Sequence, residues 1–262
     1  MILVLPVISL IVCLIVFWVI VFAKLNDFTV PTIKKIDCQN VLVVFPHPDD
    51  EVLTCGGLIK KLSKKGVRAT LLVLTKGEKG TLDAHREHFL RKRRAREVKN
   101  SARTLGFTKT IVKDFGDGLL NQKKEVLASY LANFFQKGNY DLVITYDLSG
   151  LYGHEDHIVV AQIITALARK QKKIKLWYAS PNKKLLSHIK LPEHMAKSGD
   201  FKKMRSNPTL KVFVGRHILA KVQAFYCHKS QMRTLGAGGP IKILPKWFYL
   251  SALSYEYFFE AN

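Results

Sequence analysis

The sequence has 262 residues, is 48% hydrophobic, and carries a formal net charge of +22 from 42 basic and 20 acidic residues. Apart from a distinct stretch at its start, this length allows one globular domain with a sizeable core. The basic residues are spread in short runs, and no nucleic-acid-binding motif accompanies them, so no nucleic-acid partner is expected. The four cysteines form no C-x-x-C pair, which indicates reduced thiols in a reducing compartment.

The first element is an apolar stretch, Ile2–Ala23, that contains no charged residue. At about 1.5 Å per residue it is long enough to cross a hydrocarbon layer of roughly 30 Å. A cleaved signal peptide would need a basic start, a shorter apolar core and a small-residue cleavage site, and none of these is evident. We therefore predict a transmembrane anchor over residues 1–24. The flanking Lys24, Lys34 and Lys35 predict a cytoplasmic domain, whose basic surface anionic lipids would attract.

A polar tether over residues 25–40 is expected to lead into one domain over residues 41–262. Val41–Phe45 and Ala69–Leu74 are apolar runs typical of strands buried on both faces, and Val52–Lys65 between them has helical spacing. This alternation continues, with strands predicted at 110–115, 141–146, 174–179 and 210–214 and helices at 89–105, 123–137, 157–170 and 216–228. Such alternation predicts a mostly parallel sheet with right-handed crossovers, that is, a Rossmann-like three-layer α/β sandwich.

Polar side chains follow two of these strands, at the edge of the sheet where ligands bind in this architecture. The first strand is followed by the sequence PHPDDE and the fourth by DLSGLYGHEDH. His47 and Asp50 are three residues apart, as are His154 and His157, and on a helical turn this spacing brings side chains to one side. Two imidazoles and one carboxylate with an open position are the ligand set of a hydrolytic zinc site.

Purely structural interpretations of these motifs remain open. Asp49, Asp50 and Glu51 could cap a helix and complement its dipole, and a single His-x-x-His pair is more often a surface feature than a ligand pair. The occurrence of both motifs at neighbouring strand ends favours a shared metal site. His85 and His88 have the same spacing but lie in an arginine-rich context outside the strands, where a solvated helix start is expected.

The ordered motifs resemble the LmbE-like, or PIG-L, superfamily of zinc-dependent de-N-acetylases, which includes N-acetylglucosaminyl-phosphatidylinositol de-N-acetylase. The resemblance covers Val41 to Gln231, nearly the whole predicted domain. Five motifs carry it: PHPDDE at 46–51, TKGE at 75–78, Arg94-x-x-Glu97 with Ala102 and Leu105-Gly106, Tyr152-Gly153-His154-x-Asp156-His157, and Lys221-x-x-Ala224 leading to His228-x-Ser230-Gln231.

The resemblance implies one Zn²⁺ per chain, bound by His47, Asp50 and His157, with Fe²⁺ or another divalent metal as an alternative. It also implies that Asp49 is the general base that takes a proton from the attacking water. A ligand and a base must be adjacent but point apart, which consecutive aspartates allow. His154 matches the residue that steadies the oxyanion or protonates the departing amine.

Five further residues receive roles from the same resemblance. Asp156 matches the partner that orients the imidazole of His154, and Tyr152 matches a mobile tyrosine that polarises the carbonyl. Arg94, Glu78 and His228 match positions that contact the substrate.

The implied reaction is hydrolysis of the acetamide of an N-acetylglucosaminyl conjugate, which releases acetate and the free amino sugar. The anchor and an aromatic tail over residues 247–259 resemble the membrane-bound branch, so a membrane glycolipid is the preferred substrate. That tail could equally be an amphipathic helix packed on the sheet, which base rates slightly favour. Two alternatives stay open: the same chemistry on a soluble N-acetyl sugar (a thiol-sugar, chitooligosaccharide or antibiotic precursor), and a non-catalytic basic module that docks on anionic membrane.

Overall fold

The computed structural model describes residues 4–81, 83–171, 173–184, 203–232 and 246–261. Within these ranges, eight strands form one sheet. The order across the sheet is β1-β7-β8-β6-β5-β2-β3-β4, and every neighbouring pair is parallel except the two that involve β8. The predicted, mostly parallel α/β sheet is therefore confirmed. The strands are β1 (Thr32–Ile33), β2 (Asn40–Phe45), β3 (Arg68–Val73), β4 (Lys109–Val112), β5 (Leu142–Tyr146), β6 (Lys175–Ala179), β7 (Leu210–Phe213) and β8 (Tyr255–Glu260).

Helices cover both faces of this sheet. One apolar core joins the odd-numbered positions of β2, such as Val43, to α3, α4 and α8, and a second joins the even-numbered positions, such as Val44, to α5 and α7. The unbroken apolar run of β2 follows from this double burial. The helices are α1 (Val4–Leu25), α2 (Asp50–Thr54), α3 (Gly56–Ser63), α4 (Glu87–Leu105), α5 (Lys124–Lys137), α6 (Gly150–Gly153), α7 (Glu155–Arg169), α8 (Ile218–Cys227) and α9 (Lys246–Ala252).

Three details differ from the expectations. The helix predicted over Val52–Lys65 is broken at Cys55, whose backbone leaves the helical region and separates α2 from α3. The predicted tether contains the short strand β1, paired with β7. The aromatic tail is not one amphipathic helix, because its first part forms α9 and its second part forms the antiparallel strand β8 inside the sheet.

The start of α3, directly after the break, is bound by a distant residue, Glu256 of β8. Its two carboxylate oxygens accept hydrogen bonds from the backbone N–H groups of Gly57 (2.8 Å) and Leu58 (2.7 Å), which are the free donors at the start of α3. The ammonium of Lys221 lies 2.6 Å from the same carboxylate, and both side chains are almost fully buried. A carboxylate from the last strand in the chain, β8, therefore binds the beginning of α3.

We expect Glu256→Ala to lower the free energy of unfolding by about 3–5 kcal/mol, because it leaves the buried charge of Lys221 without a partner. Denaturant unfolding of the purified chain measures this loss. The double variant Lys221→Met/Glu256→Gln removes the charge from both sides and is expected to recover part of the stability. A single variant as stable as the wild type would contradict the assignment.

Among the described residues, α1 is the one helix long and apolar enough to cross a membrane. Its most apolar 18 residues, within Leu5–Leu25, have a mean hydropathy of 3.1, and only 6% of them are buried against the rest of the protein. Its second half packs on α9. The indole N–H of Trp18 donates to the hydroxyl of Ser251 (2.9 Å), and Val21 and Leu25 form a separate apolar cluster with Phe248 and Ala252. The helix is thus attached to the domain over only part of its length.

Candidate metal centre

The first half of the site is built by the turn between β2 and α2. Asp49 in this turn has φ = 98°, a left-handed conformation that aspartate and asparagine tolerate better than most residues. Its backbone N–H donates to the carboxylate of Glu51 (3.0 Å), which in turn accepts from the hydroxyl of Ser101 (2.6 Å) and lies 2.9 Å from Nε2 of His228. Fully buried Glu51 therefore holds the strained turn in place.

The turn sends the two consecutive aspartates to different partners. The carboxylate of Asp49 binds the guanidinium of Arg94, with 2.9 Å between Oδ2 and Nη2. The carboxylate of Asp50 instead accepts from the backbone N–H of His47 (2.9 Å) and from the hydroxyl of Tyr146 (2.7 Å), the last residue of β5. This separation is the one expected for a base next to a metal ligand.

The three predicted ligands lie next to one another. Nδ1 of His47 lies 3.1 Å from Nε2 of His157, Oδ2 of Asp50 lies 3.8 Å from Nδ1 of His47, and Oδ1 of Asp50 lies 3.8 Å from Nε2 of His157. All three side chains are buried, and the ring of His157 is stacked on Tyr146 with 4.4 Å between the centroids. Two strand ends, those of β2 and β5, thus contribute to one cluster.

These residues fit a small divalent cation. Bonds of about 2.0–2.2 Å in a tetrahedral site imply separations of about 3.3–3.5 Å between donor atoms. The two imidazole nitrogens are 3.1 Å apart, and each has one oxygen of Asp50 at 3.8 Å. Two imidazole nitrogens that face each other beside a carboxylate are a donor set that suits Zn²⁺ and several other divalent metals. One donor atom each of His47, His154 and His157 also lie within 4.8 Å of one another, so His154 borders the same space.

The surroundings of the two rings shift their pKa values in opposite directions. Burial, together with the neighbouring His47, holds the pKa of His157 well below the usual histidine value. Burial also acts to lower the pKa of His47, but the carboxylates of Asp117 and Asp156 outweigh it and raise this pKa well above the usual value. Burial raises the pKa of Asp50 to about 7, against the attraction of His47. A neutral His157 offers its lone pair to a cation.

Behind the cluster, two carboxylates bind the second nitrogen of His47. Its Nε2 lies 3.0 Å from Oδ1 of Asp117 and 3.1 Å from Oδ2 of Asp156. Asp156 also accepts from the backbone N–H groups of Gly118 (2.7 Å) and Leu120 (3.1 Å), so its position is fixed. A metal-binding histidine commonly donates its other N–H to a carboxylate, which fixes the tautomer and the ring orientation. His47 has this arrangement.

The predicted pairing of Asp156 with His154 takes a different form in the structure. The contact between them is a hydrogen bond from the backbone N–H of Asp156 to Nδ1 of His154 (3.2 Å), at the start of α7. The carboxylate of Asp156 is directed to His47 instead. Because Nδ1 of His154 accepts this hydrogen bond, the proton of the neutral ring is on Nε2.

Substitution Asp156→Asn separates these two roles. We expect it to weaken metal binding by about 10–100-fold, because the ring of His47 loses a charged partner that fixes its orientation. Metal affinity is measured by competition with a chelator, and kcat is measured at saturating metal. A drop in kcat with unchanged metal affinity would instead support the role of Asp156 as a partner of His154.

The second half of the site is the turn over residues 150–154, where Leu151 adopts a positive φ of 66° and interrupts the helical geometry of α6. This turn brings the ring of Tyr152 to 5.9 Å from His154 and 5.3 Å from His157, measured between centroids. Tyr152 is partly exposed, unlike the ligands. It therefore lies where it can reach a molecule bound beside the cluster.

The three residues predicted to contact substrate are buried and contact protein groups. Arg94 donates to the carbonyl groups of Gly77 (2.7 Å) and Pro48 (2.6 Å) in addition to its ion pair with Asp49. Glu78 accepts from the backbone N–H of Asp117 (3.1 Å), and His228 is bonded to Glu51. Each of them supports a residue of the site, and their contact with substrate stays a prediction.

Sequence reasoning missed Asp117 and Tyr146. Asp117 lies between Gly116 and Gly118 shortly after β4, and both glycines have positive φ. A carboxylate in a glycine-containing turn after a strand was the signal that could have identified it. Tyr146 ends an apolar strand and was counted only as core. Its hydroxyl, bonded to Asp50, gives it a place in the site.

The fold and this donor set define an α/β protein with a candidate metal centre at the carboxyl edge of its sheet. Residues 42–168 match the family described as PIG-L: GlcNAc-PI de-N-acetylase. The matched segment contains every residue of the metal cluster and ends within α7.

Curated relatives of this chain are named as deacetylases. The diacetylchitobiose deacetylase of Thermococcus kodakarensis is 39% identical over 123 residues, which cover 46% of each chain. The chain thus spans about half the length of the first curated relatives it matches. The structure of N,N'-diacetylchitobiose deacetylase from Pyrococcus horikoshii superposes with a TM-score of 0.58 at 24% identity, over 85% of this chain and 83% of that one.

The same fold is also found with another reaction. The 4-carboxy-2-hydroxymuconate hydratase from Pseudomonas putida gives a TM-score of 0.58 at 19% identity, over 81% of this chain and 83% of that one. At such identities the likeness concerns the fold alone. The reaction must therefore be argued from the residues of the site.

Proposed function

We propose that this protein is a metal-dependent de-N-acetylase that hydrolyses the acetamide of an N-acetylglucosaminyl conjugate to acetate and the free amino sugar. The observation that carries the proposal is the convergence of His47, Asp50 and His157 within 3.1–3.8 Å beside the separately held carboxylate of Asp49. A ligand set next to an independent base is the arrangement that hydrolysis of an amide requires.

His47, Asp50 and His157 would hold the metal, for which Zn²⁺ is the preferred candidate. When bound, a divalent cation supplies Lewis-acid stabilisation of the negative charge that develops on the amide oxygen. The nitrogen and oxygen donors suit zinc, and they also accept Fe²⁺ and similar ions.

Asp49 accepts the proton of the attacking water in this proposal. Arg94 binds Oδ2 of Asp49 and fixes the orientation of the carboxylate, while the bond between Asp49 N–H and Glu51 fixes its backbone. Arg94 and Glu51 are therefore positioning residues for the base. A base held from two sides loses little freedom when the water arrives.

His154 and Tyr152 act on the amide itself. The backbone N–H of Asp156 donates to Nδ1 of His154, so a neutral ring carries its proton on Nε2, and in this proposal that N–H donates to the developing oxyanion. Asp49, which holds the proton taken from the water, returns it to the departing amine as the C–N bond breaks. Tyr152, on the same turn, donates its hydroxyl to the carbonyl oxygen.

We prefer a membrane glycolipid as the conjugate and a cytoplasmic position for the domain. The helix α1 supports a membrane anchor by its length and apolar surface, and the lysines that follow it support the cytoplasmic side. The relatives named for diacetylchitobiose support the alternative, a soluble N-acetyl sugar.

Acetate release from the two substrate classes tests the proposal. The full chain, loaded with Zn²⁺ in detergent micelles, is incubated with diacetylchitobiose and separately with N-acetylglucosaminyl lipids, and products are identified by mass spectrometry. Loss of one acetyl group from the lipid at a higher kcat/KM supports the glycolipid, and a higher value for the soluble sugar supports the alternative. No acetate from either class, with metal bound, would favour a non-catalytic module.

A further inference from the structure

The part of α1 that packs on α9 lies within the apolar stretch that is long enough to span a membrane, Leu5–Leu25. From Phe17 onward one face of the helix packs on α9, while Val19 and Ile20 remain 50% and 46% exposed. At about 1.5 Å per residue, a hydrocarbon layer of about 30 Å takes about 20 residues. A span over Leu5–Leu25 therefore includes the part of the helix that is paired with α9.

The composition of α9 suits this depth. Its sequence, KWFYLSA, has one charge, Lys246, at its start. Trp247 is 52% exposed, Phe248 is stacked on Phe17 with 5.7 Å between centroids, and Ser251 is bonded to Trp18. An exposed indole beside a paired apolar helix is typical of the membrane interface, where tryptophan is enriched.

Further aromatic residues extend this surface onto the domain. The ring of Phe28 packs on Phe22 and Tyr255, and Phe213 packs on Tyr255, while Phe28 and Phe213 remain 53% and 42% exposed. Basic residues border the same region. Lys24 is exposed at the end of α1, and Nζ of Lys184 lies 3.4 Å from the carbonyl of Asn26, so both lie where lipid phosphates would be.

The end of α1 and the metal centre lie at the same edge of the sheet. Tyr146 and Ala179, the last residues of β5 and β6, are paired with each other and mark the carboxyl edge of the sheet, and Ala179 is also paired with Phe258 of β8. Asn182, three residues after the end of β6, donates to the carbonyl of Leu25 at the end of α1 (3.1 Å). Because β8 is two strands from β5 and three from β2, the lateral distance to the metal centre is only about 10–14 Å.

We propose that α9 and the exposed aromatic residues Phe28, Phe213 and Trp247 form an interfacial surface that is immersed in the lipid bilayer together with α1. This turns the carboxyl edge of the sheet, with its metal centre, toward the lipid headgroups. If the proposed function holds, the consequence of this surface is that the N-acetylglucosaminyl group reaches the site on a lipid carrier.

Quenching of Trp247 fluorescence tests the surface directly. The full chain is reconstituted in nanodiscs whose lipids carry a nitroxide on the acyl chain near the headgroup, and wild type is compared with Trp247→Phe. The emission of Trp247 is the wild-type emission minus that of Trp247→Phe. We expect this emission to be at least about twofold lower in labelled than in unlabelled discs, as for an indole at the membrane interface.

The matched control places an indole at the opposite edge of the sheet. Lys109 is exposed at the start of β4, so Trp247→Phe/Lys109→Trp carries its reporter away from the proposed surface and is expected to show no added quenching. Equal quenching, or none, at positions 247 and 109 would overturn the proposal. Acetate release from diacetylchitobiose in the same discs reports on the function separately, since active chain without quenching refutes only the docking, and quenched but inactive chain refutes only the function.

Discussion

Asp49→Asn is expected to lower the rate of acetate release by about 10²–10⁴-fold while the metal content stays the same. An amide cannot accept the proton of the attacking water, so the chemical step loses its base. Asparagine tolerates the left-handed backbone of this position, and the ligands His47, Asp50 and His157 remain in place. The measurements are kcat on diacetylchitobiose and the metal content of the same sample.

Asp49→Ala provides the comparison for strain at this position. Alanine removes the base and also has to adopt φ = 98°, which costs about 1–2 kcal/mol. We therefore expect the alanine variant to be as inactive as the asparagine variant and less stable to denaturant. If the asparagine variant kept its rate at full metal loading, Asp49 could not be the base.

His157→Ala is expected to abolish metal retention and, with it, activity. The substitution removes one of three donors and leaves Nδ1 of His47 without its neighbour at 3.1 Å. The loss of affinity should exceed the 10–100-fold that is typical when only a supporting partner is removed. Metal analysis after dialysis measures retention, and far-UV circular dichroism checks that the chain is folded.

Tyr146→Phe is the matched control for this prediction. It removes the hydroxyl that donates to Asp50 but keeps all three donors and the ring stacked on His157. Metal affinity should fall by about 10–100-fold and no further. Stoichiometric metal in His157→Ala would instead place the ion at the second candidate group, formed by His47, Asp117 and Asp156.

The sequence was informative where a local pattern has one physical cause. The strands β2 and β5 are covered on both faces, so their apolar runs could be recognised without knowledge of their partners. Because parallel strands end at one edge, the residues that follow them could be expected to meet. His47, Asp50 and His157 do meet there.

Features that depend on distant parts of the chain were not predictable. The interruption at Cys55 coincides with the binding of Glu256 about 200 residues later to the start of α3, and no local pattern around position 55 contains this information. The strand β8 was missed although aromatic residues favour strands, because the aromatic residues of α9 precede it in the same run and its partners β6 and β7 lie elsewhere in the chain. The binding of Asp156 to His47 also required the fold, because sequence proximity favoured His154.

The place of β8 in the sheet also affects the order in which the chain can fold during its synthesis. Strands β2 to β6 are complete by residue 179, but β1 and β7 reach them only through β8, among the strands described. At typical elongation rates roughly 4–16 s separate these events, so the half of the sheet that holds the candidate metal centre can fold while β1, which follows α1, is still unjoined. A stop codon before Tyr255 would leave the anchor tied to a detached two-strand ribbon.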